Sequence, residues 1–187
     1  MNCYCVLGRS GSGKDTLVEH LLTNPRYPKT NNRTKLISKT TREQRYDGEN
    51  CHIFANEDEL KADYEAGQVV AYNKYAGNHY WATKDQVDKA DFYIVDIPGL
   101  LQLKREYDGN RVIKVIGLDI SASTSLQRML KRGDSFEKAA ERLDVDDDAF
   151  AGLRENTNIC LTTDNLTPDE VAKIIYDYIA AVESCGK

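Results

Sequence analysis

Hydrophobic residues along the chain follow two patterns, short runs of strand formers and repeats at helical spacing. The short runs predict strands at about residues 2–7, 35–38, 69–72, 79–83, 92–96, 112–119 and 158–162. Helical spacing and helix-start signals predict helices at about residues 14–22, 56–66, 100–107, 123–131, 136–145 and from 167 onward. Because strands and helices alternate, the sequence predicts an α/β domain with a parallel core sheet.

One stretch, from about Lys35 to Ala82, departs from this alternation. Its predicted strands are short and partly antiparallel, which is typical of a small lobe rather than of a parallel core. A chain of 187 residues favours one domain with small inserted lobes. We therefore expect this stretch to form a substrate lobe.

Composition narrows the class of protein. The formal net charge of −5 argues against general nucleic-acid binding, so basic residues that bind phosphates must be concentrated locally. Neither a signal peptide nor an apolar run of membrane length is recognisable, which favours a soluble, cytoplasmic protein. No metal-binding spacing of cysteines is present, and we expect reduced thiols that act as small core residues at Cys3, Cys5, Cys51, Cys160 and Cys185.

The segment after the first predicted strand has the pattern Gly-x-x-x-x-Gly-Lys of a phosphate-binding loop. A strand precedes it and a helix follows, so backbone N–H groups point at an anion. The glycines permit tight curvature, and Lys14 supplies a mobile charge for the β- and γ-phosphates. The residues predicted to bind ATP are Gly8, Ser10, Gly11, Ser12, Gly13, Lys14, Asp15 and Thr16.

Asp15 occupies the position that normally carries the Mg²⁺-coordinating hydroxyl. Three interpretations remain open. The carboxylate can itself bind Mg²⁺, it can repel phosphates, or it can be a first-turn residue favoured by the helix dipole. Thr16 offers a hydroxyl in the next position, so Asp15 and Thr16 are the candidate metal ligands.

A second basic segment carries Arg42 and Arg45 beside several hydroxyl residues, beginning at Ser38. One arginine guanidinium group can bind two oxygens of a phosphate at once. Arg42 and Arg45 together can therefore hold a second phosphate. The alternative is two solvated arginines on the surface, which this segment alone does not exclude.

Together these segments resemble the guanylate kinase family, and the resemblance covers nearly the whole chain. The family's Ser-x-Thr-Thr-Arg-x-x-Arg motif is matched from Ser38 to Arg45. Four weaker matches are Gly48-Glu49 with His52-Ile53-Phe54, Gly77-Asn78-His79-Tyr80-Trp81, Val95-Asp96-Ile97-Pro98, and Arg132-Gly133 with Arg142-Leu143.

The resemblance implies a P-loop three-layer fold with three parts. These are a core (about 1–34 and 84–187), an inserted monophosphate-binding lobe (about 35–83) and a helical lid (about 128–154). It implies phosphorylation of a nucleoside monophosphate, GMP or dGMP favoured, by ATP with Mg²⁺, in a monomer or homodimer without nucleic-acid or membrane partners.

The resemblance also assigns roles to residues. Lys14, Arg42, Arg132 and Arg142 would be catalytic, the last two closing over the transferring phosphoryl group. For the two lid arginines, solvated surface charge is the alternative. The monophosphate would be held by Ser38, Arg42, Arg45, His52, Tyr80 and Asp96.

Two positions that read guanine in the family carry Ala71 and Pro98, whose side chains cannot accept hydrogens from the base. Glu49, Gln68 and His79 are candidates to replace them. Three alternatives therefore stand beside the guanylate assignment. They are a P-loop kinase for another base, a kinase for a phosphorylated non-nucleotide, and a non-catalytic guanylate-kinase-like binding module.

Overall fold

The computed structural model describes residues 1–44, 46–75 and 77–185. Its strands are β1 (Asn2–Leu7), β2 (Lys39–Thr40), β3 (Ile53–Phe54), β4 (Val69–Tyr75), β5 (Asn78–Thr83), β6 (Phe92–Ile94), β7 (Val112–Asp119) and β8 (Ile159–Thr162). Its helices are α1 (Lys14–Thr23), α2 (Glu57–Glu65), α3 (Lys84–Lys89), α4 (Ile97–Glu106), α5 (Ala122–Lys131), α6 (Phe136–Ala149) and α7 (Pro168–Cys185).

The core sheet has the strand order β6-β1-β7-β8. Strands β7 and β8 run parallel, with Ile116 opposite Ile159 and Asp119 opposite Thr162. Residues 3–7 of β1 are all fully buried, as expected for a strand covered on both faces. The predicted α/β fold with a parallel core sheet is confirmed.

A second sheet has the order β3-β2-β5-β4. Strand β5 pairs antiparallel with β2 and β4, whereas β2 and β3 are parallel. One face of this sheet packs through Trp81 and Tyr72 onto Leu60 of α2, together with Val69. Because side chains alternate along a strand, Asn73 of β4 points to the opposite face, where it donates a hydrogen bond to Asp96 at the start of α4.

The chain forms two compact units. The first comprises residues 1–5 and 35–114 and contains the second sheet with α2, α3 and α4. The second comprises residues 6–34 and 115–187 and contains α1, α5, α6 and α7. Strands β1 and β7 contribute residues to both units.

Several local predictions were wrong. Residues 35–38 form no strand of their own, and Lys35 makes only a single bridge to Phe92. The strand is the neighbouring dipeptide Lys39–Thr40 (β2), which pairs with β3 and β5. Its partners lie far along the chain, so local sequence could not show this pairing. Helix α3 was not predicted, because it is too short to show a hydrophobic period. The signal that was available is the capping box that Thr83 and Gln86 form at its start.

The cysteines differ in burial, and Cys160 is intermediate between a buried pair and an exposed pair. Cys3 and Cys5 are buried in β1, as predicted, whereas Cys51 and Cys185 are exposed and therefore do not act as core residues. Within the described part of the chain no disulfide joins any of them. None of the described helices has both the length and the apolar character needed to cross a membrane.

Candidate active site

The phosphate loop connects the buried end of β1 to the first residue of α1. Gly8 has φ +154°, and a Cβ there would lie 2.4 Å from the Leu118 carbonyl oxygen and 2.5 Å from Ser12 Oγ. Gly13 caps α1 in the left-handed conformation, with φ 92°. Gly8 and Gly13 are therefore required by close approach and by backbone angle, and they allow the loop backbone to come close to an anion.

Lys14, the first residue of α1, turns its side chain back over the loop. Its Nζ donates to the carbonyl oxygens of Gly8 at 2.6 Å and Arg9 at 2.9 Å. Burial lowers the pKa of Lys14 from 10.5 to about 8, although the nearby carboxylates of Asp146 and Asp15 act in the opposite direction. An anionic ligand would therefore stabilise the protonated form.

A cavity of about 490 Å³ opens in front of the loop, within the size range of ligand sites. Residues 10–17 line one side. Arg128, Arg132 and Arg142 line it from α5, its C-terminal cap and α6. Four cationic side chains, counting Lys14, thus border one cavity, which is suited to a polyanion such as a triphosphate.

The two predicted lid arginines share one carboxylate. Arg132 Nε donates to Asp134 Oδ2 at 2.8 Å, and Arg142 Nη1 lies 3.5 Å from the same oxygen. Because a single acid holds both guanidinium groups, they are brought together beside the cavity before any ligand contributes.

Arg128 is a cavity residue that the sequence analysis missed. Its Nη1 donates to the Gly11 carbonyl oxygen at 3.2 Å and its Nη2 to the Thr163 carbonyl oxygen at 3.0 Å. The available signal was its spacing, since it precedes Arg132 by four residues and so shares a helix face with it.

Asp15 and Thr16 are exposed in the first turn of α1, and both line the cavity. Among the described residues no cluster of three or more metal-binding side chains forms a dedicated metal site. Magnesium at nucleotide sites needs only one or two protein oxygens beside phosphate and water, so this donor set fits it.

Several residues predicted to bind the acceptor lie on the face of the second sheet opposite Trp81 and Tyr72. The strand registers place Phe54, Thr40, Tyr80 and Asn73 in one row across β3, β2, β5 and β4. Ser38 precedes Thr40 by two residues and therefore lies on the same face.

Three predicted acceptor residues contact one another on this face. Ser38 Oγ lies 3.0 Å from His52 Nδ1, and the His52 ring packs edge-on against the Tyr80 ring at a centroid distance of 5.5 Å. The structure thus brings Ser38, His52 and Tyr80 together.

Arg42 is anchored from two sides. Its guanidinium lies 5.3 Å from the centre of the Phe54 ring and forms a two-pronged ion pair with Glu49. Hydrogen bonding to Glu49 raises the pKa of Arg42, which keeps it charged. Arg45, the second predicted phosphate-binding arginine, lies outside the described residues.

Asp96 caps the N-terminus of α4. Its Oδ1 accepts a hydrogen bond from the Gly99 amide at 2.8 Å, and its Oδ2 accepts one from Asn73 Nδ2. Burial raises the pKa of Asp96, and these two hydrogen bonds oppose the rise. Asn73 was not predicted, and the signal that was available is its place two residues after Ala71 on the same strand face.

The two positions that lack the family's acids differ in burial, since Ala71 is buried and Pro98 is exposed. Ala71 is 1% exposed, and Pro98 lies in the first turn of α4. Of the proposed substitutes, Glu49 pairs with Arg42, and His79 Nδ1 lies 2.8 Å from the Tyr72 hydroxyl. The oxygen of the Gln68 side chain is buried without a hydrogen-bond partner among the described atoms.

The parallel sheet, the phosphate loop between β1 and α1, and the cationic cavity define a P-loop phosphotransferase. A family model described as guanylate kinase matches residues 1–181. Guanylate kinase of Porphyromonas gingivalis is 28% identical over 183 residues, which cover 91% of this chain and 94% of that protein. Guanylate kinase of Helicobacter pylori strain 26695 is 29% identical over 154 residues, 76% of this chain and 70% of that protein.

A solved guanylate kinase structure is similar in fold to this chain. The crystal structure of guanylate kinase from Anaplasma phagocytophilum has a TM-score of 0.61 and 20% identity, and the match covers 96% of this chain and 85% of that chain. The present chain belongs to the guanylate kinase family, and its class of enzyme is the nucleoside monophosphate kinases.

Proposed function

We propose that this protein transfers the γ-phosphoryl group of ATP to a nucleoside monophosphate, with GMP or dGMP favoured, and so forms the diphosphate. The observation that carries this proposal is the cavity at the phosphate loop. It is lined by Lys14 together with Arg128, Arg132 and Arg142. Phosphoryl transfer depends on alignment and charge neutralisation more than on covalent chemistry of the protein, and this lining supplies positive charge.

On the donor side, the loop amides and Lys14 bind the β- and γ-phosphates. Arg132 and Arg142 neutralise charge that develops on the transferring group, as electrostatic stabilisation requires. Asp15 and Thr16 would hold Mg²⁺, which would supply further neutralisation of the phosphate charge. Asp15 would then be a metal ligand in place of the hydroxyl residue usual in such loops.

On the acceptor side, Arg42 binds the monophosphate, and Tyr80 and the Ser38–His52 pair position the rest of the nucleotide. An oxygen of the acceptor phosphate forms the new bond to the γ-phosphorus. The bond from that phosphorus to the β–γ bridging oxygen breaks, and ADP leaves with the electron pair.

A panel of nucleoside monophosphates, each with ATP and Mg²⁺, tests the proposal through ADP formation. We expect turnover with GMP or dGMP in the unaltered protein and at least a hundredfold less in Lys14→Ala. Absence of turnover with every acceptor, together with absence of ATP binding by calorimetry, would assign the chain to the non-catalytic binding modules.

A second candidate function keeps the reaction and changes the base. It is favoured by Ala71 and Pro98, because neither side chain offers a carboxylate to the base. In the same panel, turnover confined to AMP or to a pyrimidine monophosphate would establish this candidate and reject GMP.

A further inference from the structure

Helix α6 ends in a run of acidic residues. Asp144, Asp146, Asp147 and Asp148 all lie in the C-terminal half of this helix. Carboxylates at that end face the negative pole of the helix dipole, so they weaken the helix rather than stabilise it. Because these aspartates do not stabilise their own helix, their presence suggests that they have a role in contacts outside it.

Two of these aspartates contact the phosphate loop. Asp146 Oδ2 accepts a hydrogen bond from the Ser10 amide at 2.6 Å, and the Asp147 carboxylate pairs with the Arg9 guanidinium. Asp146 is also the foremost of the charges that favour protonated Lys14. A carboxylate of the chain itself therefore lies against the loop that is built to receive phosphate.

The Ser10 amide cannot serve two anions. Loop amides attract phosphate because their fixed partial charges point outward, and an aspartate that occupies one of them adds like-charge repulsion against a second anion. We propose that Asp146 is an internal competitor of the triphosphate, and that α6 is a latch on the phosphate loop which ATP must release. The identity of ATP as the competing ligand rests on the function proposed above.

The latch is linked to a lid arginine by helix geometry. Arg142 precedes Asp146 by four residues, so the two side chains project from the same face of α6. Arg142 lines the cavity, whereas Asp146 binds the loop. A triphosphate attracts the first and repels the second, so its binding favours a rotation or shift of α6 that withdraws Asp146 while Arg142 stays engaged.

Calorimetric titration with ATP, with Mg²⁺ and without an acceptor, tests the latch directly. Asp146→Asn keeps the shape of the side chain but removes its charge, and we expect it to bind ATP about tenfold more tightly. The matched control is Asp144→Asn, an exposed position on the same helix, which removes the same charge away from the loop. We expect the control to change the dissociation constant by less than about twofold.

Unchanged or weaker ATP binding by Asp146→Asn would overturn the latch, and so would equal tightening in both variants, which would mark a general charge effect. As a second readout, hydrogen exchange in the last turn of α6 should become faster when ATP is added to the unaltered protein. Slower exchange there would also count against release. If ATP bound and Asp146→Asn tightened it, yet no monophosphate were phosphorylated, the proposed reaction would fail while the latch remained.

Discussion

Arg42 and Glu49 form an ion pair that is nearly closed to solvent. The distances are 2.7 Å between Nη2 and Oε1 and 3.2 Å between Nη1 and Oε2, and the Glu49 side chain is 2% exposed. The arginine proposed to bind the acceptor phosphate is thus held by a buried acid of the same unit. Preorganisation of this kind fixes direction and charge before the substrate arrives.

Glu49→Gln should therefore affect both stability and acceptor binding. Removal of one partner leaves a poorly compensated guanidinium, and we expect the free energy of unfolding to fall by about 2–4 kcal/mol. The KM for the acceptor should rise about tenfold because Arg42 is no longer aligned, while the KM for ATP stays constant. Urea denaturation and steady-state kinetics measure the two effects.

The matched control for this variant is Asp177→Asn, which breaks the exposed Lys173–Asp177 pair of 2.7 Å on α7. Exposed pairs four residues apart contribute about 0.3–0.5 kcal/mol, so this variant should remain close to the unaltered protein. An equal decrease in the free energy of unfolding in both variants would show that the burial of Glu49 does not make its ion pair more stabilising than an exposed one.

A second prediction concerns the hydrogen bond from Asn73 to Asp96. This bond lowers the pKa of a carboxyl that burial raises, so its removal in Asn73→Ala should raise that pKa further. If acceptor binding requires ionised Asp96, the acidic limb of the kcat/KM profile for the acceptor moves to higher pH. Asn73→Asp should move it further still, because a second carboxylate opposes ionisation.

Two controls accompany this prediction. Asp96→Asn has no carboxyl at this position and should lose the limb, whereas Lys74→Ala, an exposed neighbour on β4, should leave it in place. If the acidic limb of the kcat/KM profile lay at the same pH in Asn73→Ala and in the unaltered protein, ionisation of Asp96 would not control acceptor binding.

The phosphate loop could be predicted from the sequence because all of its determinants are local. Glycines, lysine, the preceding strand and the following helix lie within residues 2–23. The same holds for the start of α7, where Pro168 follows the capping Thr167. Local patterns are reliable where the physics that they reflect is also local.

Contacts between segments that are distant in the chain could not be predicted from the sequence. The row that joins Tyr80 to Asn73 depends on strand register, and the hydrogen bond to Asp96 spans 23 positions. The docking of Asp146 on Ser10 spans 136 positions. An acidic helix end is visible in a sequence, but its contact surface is determined only when the tertiary packing of α6 is known.

The third prediction tests the close approach at Gly8. In Gly8→Ala the new Cβ would meet the Leu118 carbonyl oxygen at 2.4 Å, and the backbone angle of +154° adds strain. We expect the free energy of unfolding to fall by about 2–4 kcal/mol and ATP binding to be lost. Gly67→Ala is the control, since φ is +65° there and the new Cβ meets no described atom within 4 Å. It should lose only about 1 kcal/mol in urea denaturation, and a similar loss at both positions would show that the crowding at Gly8 relaxes.

The last prediction follows from the pKa of Lys14, which burial lowers to about 8. Phosphate binds the protonated amine, so ATP affinity should fall as the pH rises from about 7.5 to 9.5, a range in which ATP itself gains no further charge. Binding near pH 8 should take up protons, because the triphosphate raises the pKa of Lys14. Calorimetry in buffers of different ionisation enthalpy measures this uptake.

The folding equilibrium should respond to pH in the opposite direction. Since the unfolded chain holds this proton more tightly, the Lys14 contribution to stability increases as the pH rises from about 8 toward 10.5. Lys14→Arg is the control for both effects, because a guanidinium stays charged throughout this range. Its ATP affinity should be weaker but independent of pH, and an equally steep decline in Lys14→Arg would assign the titration to a different group.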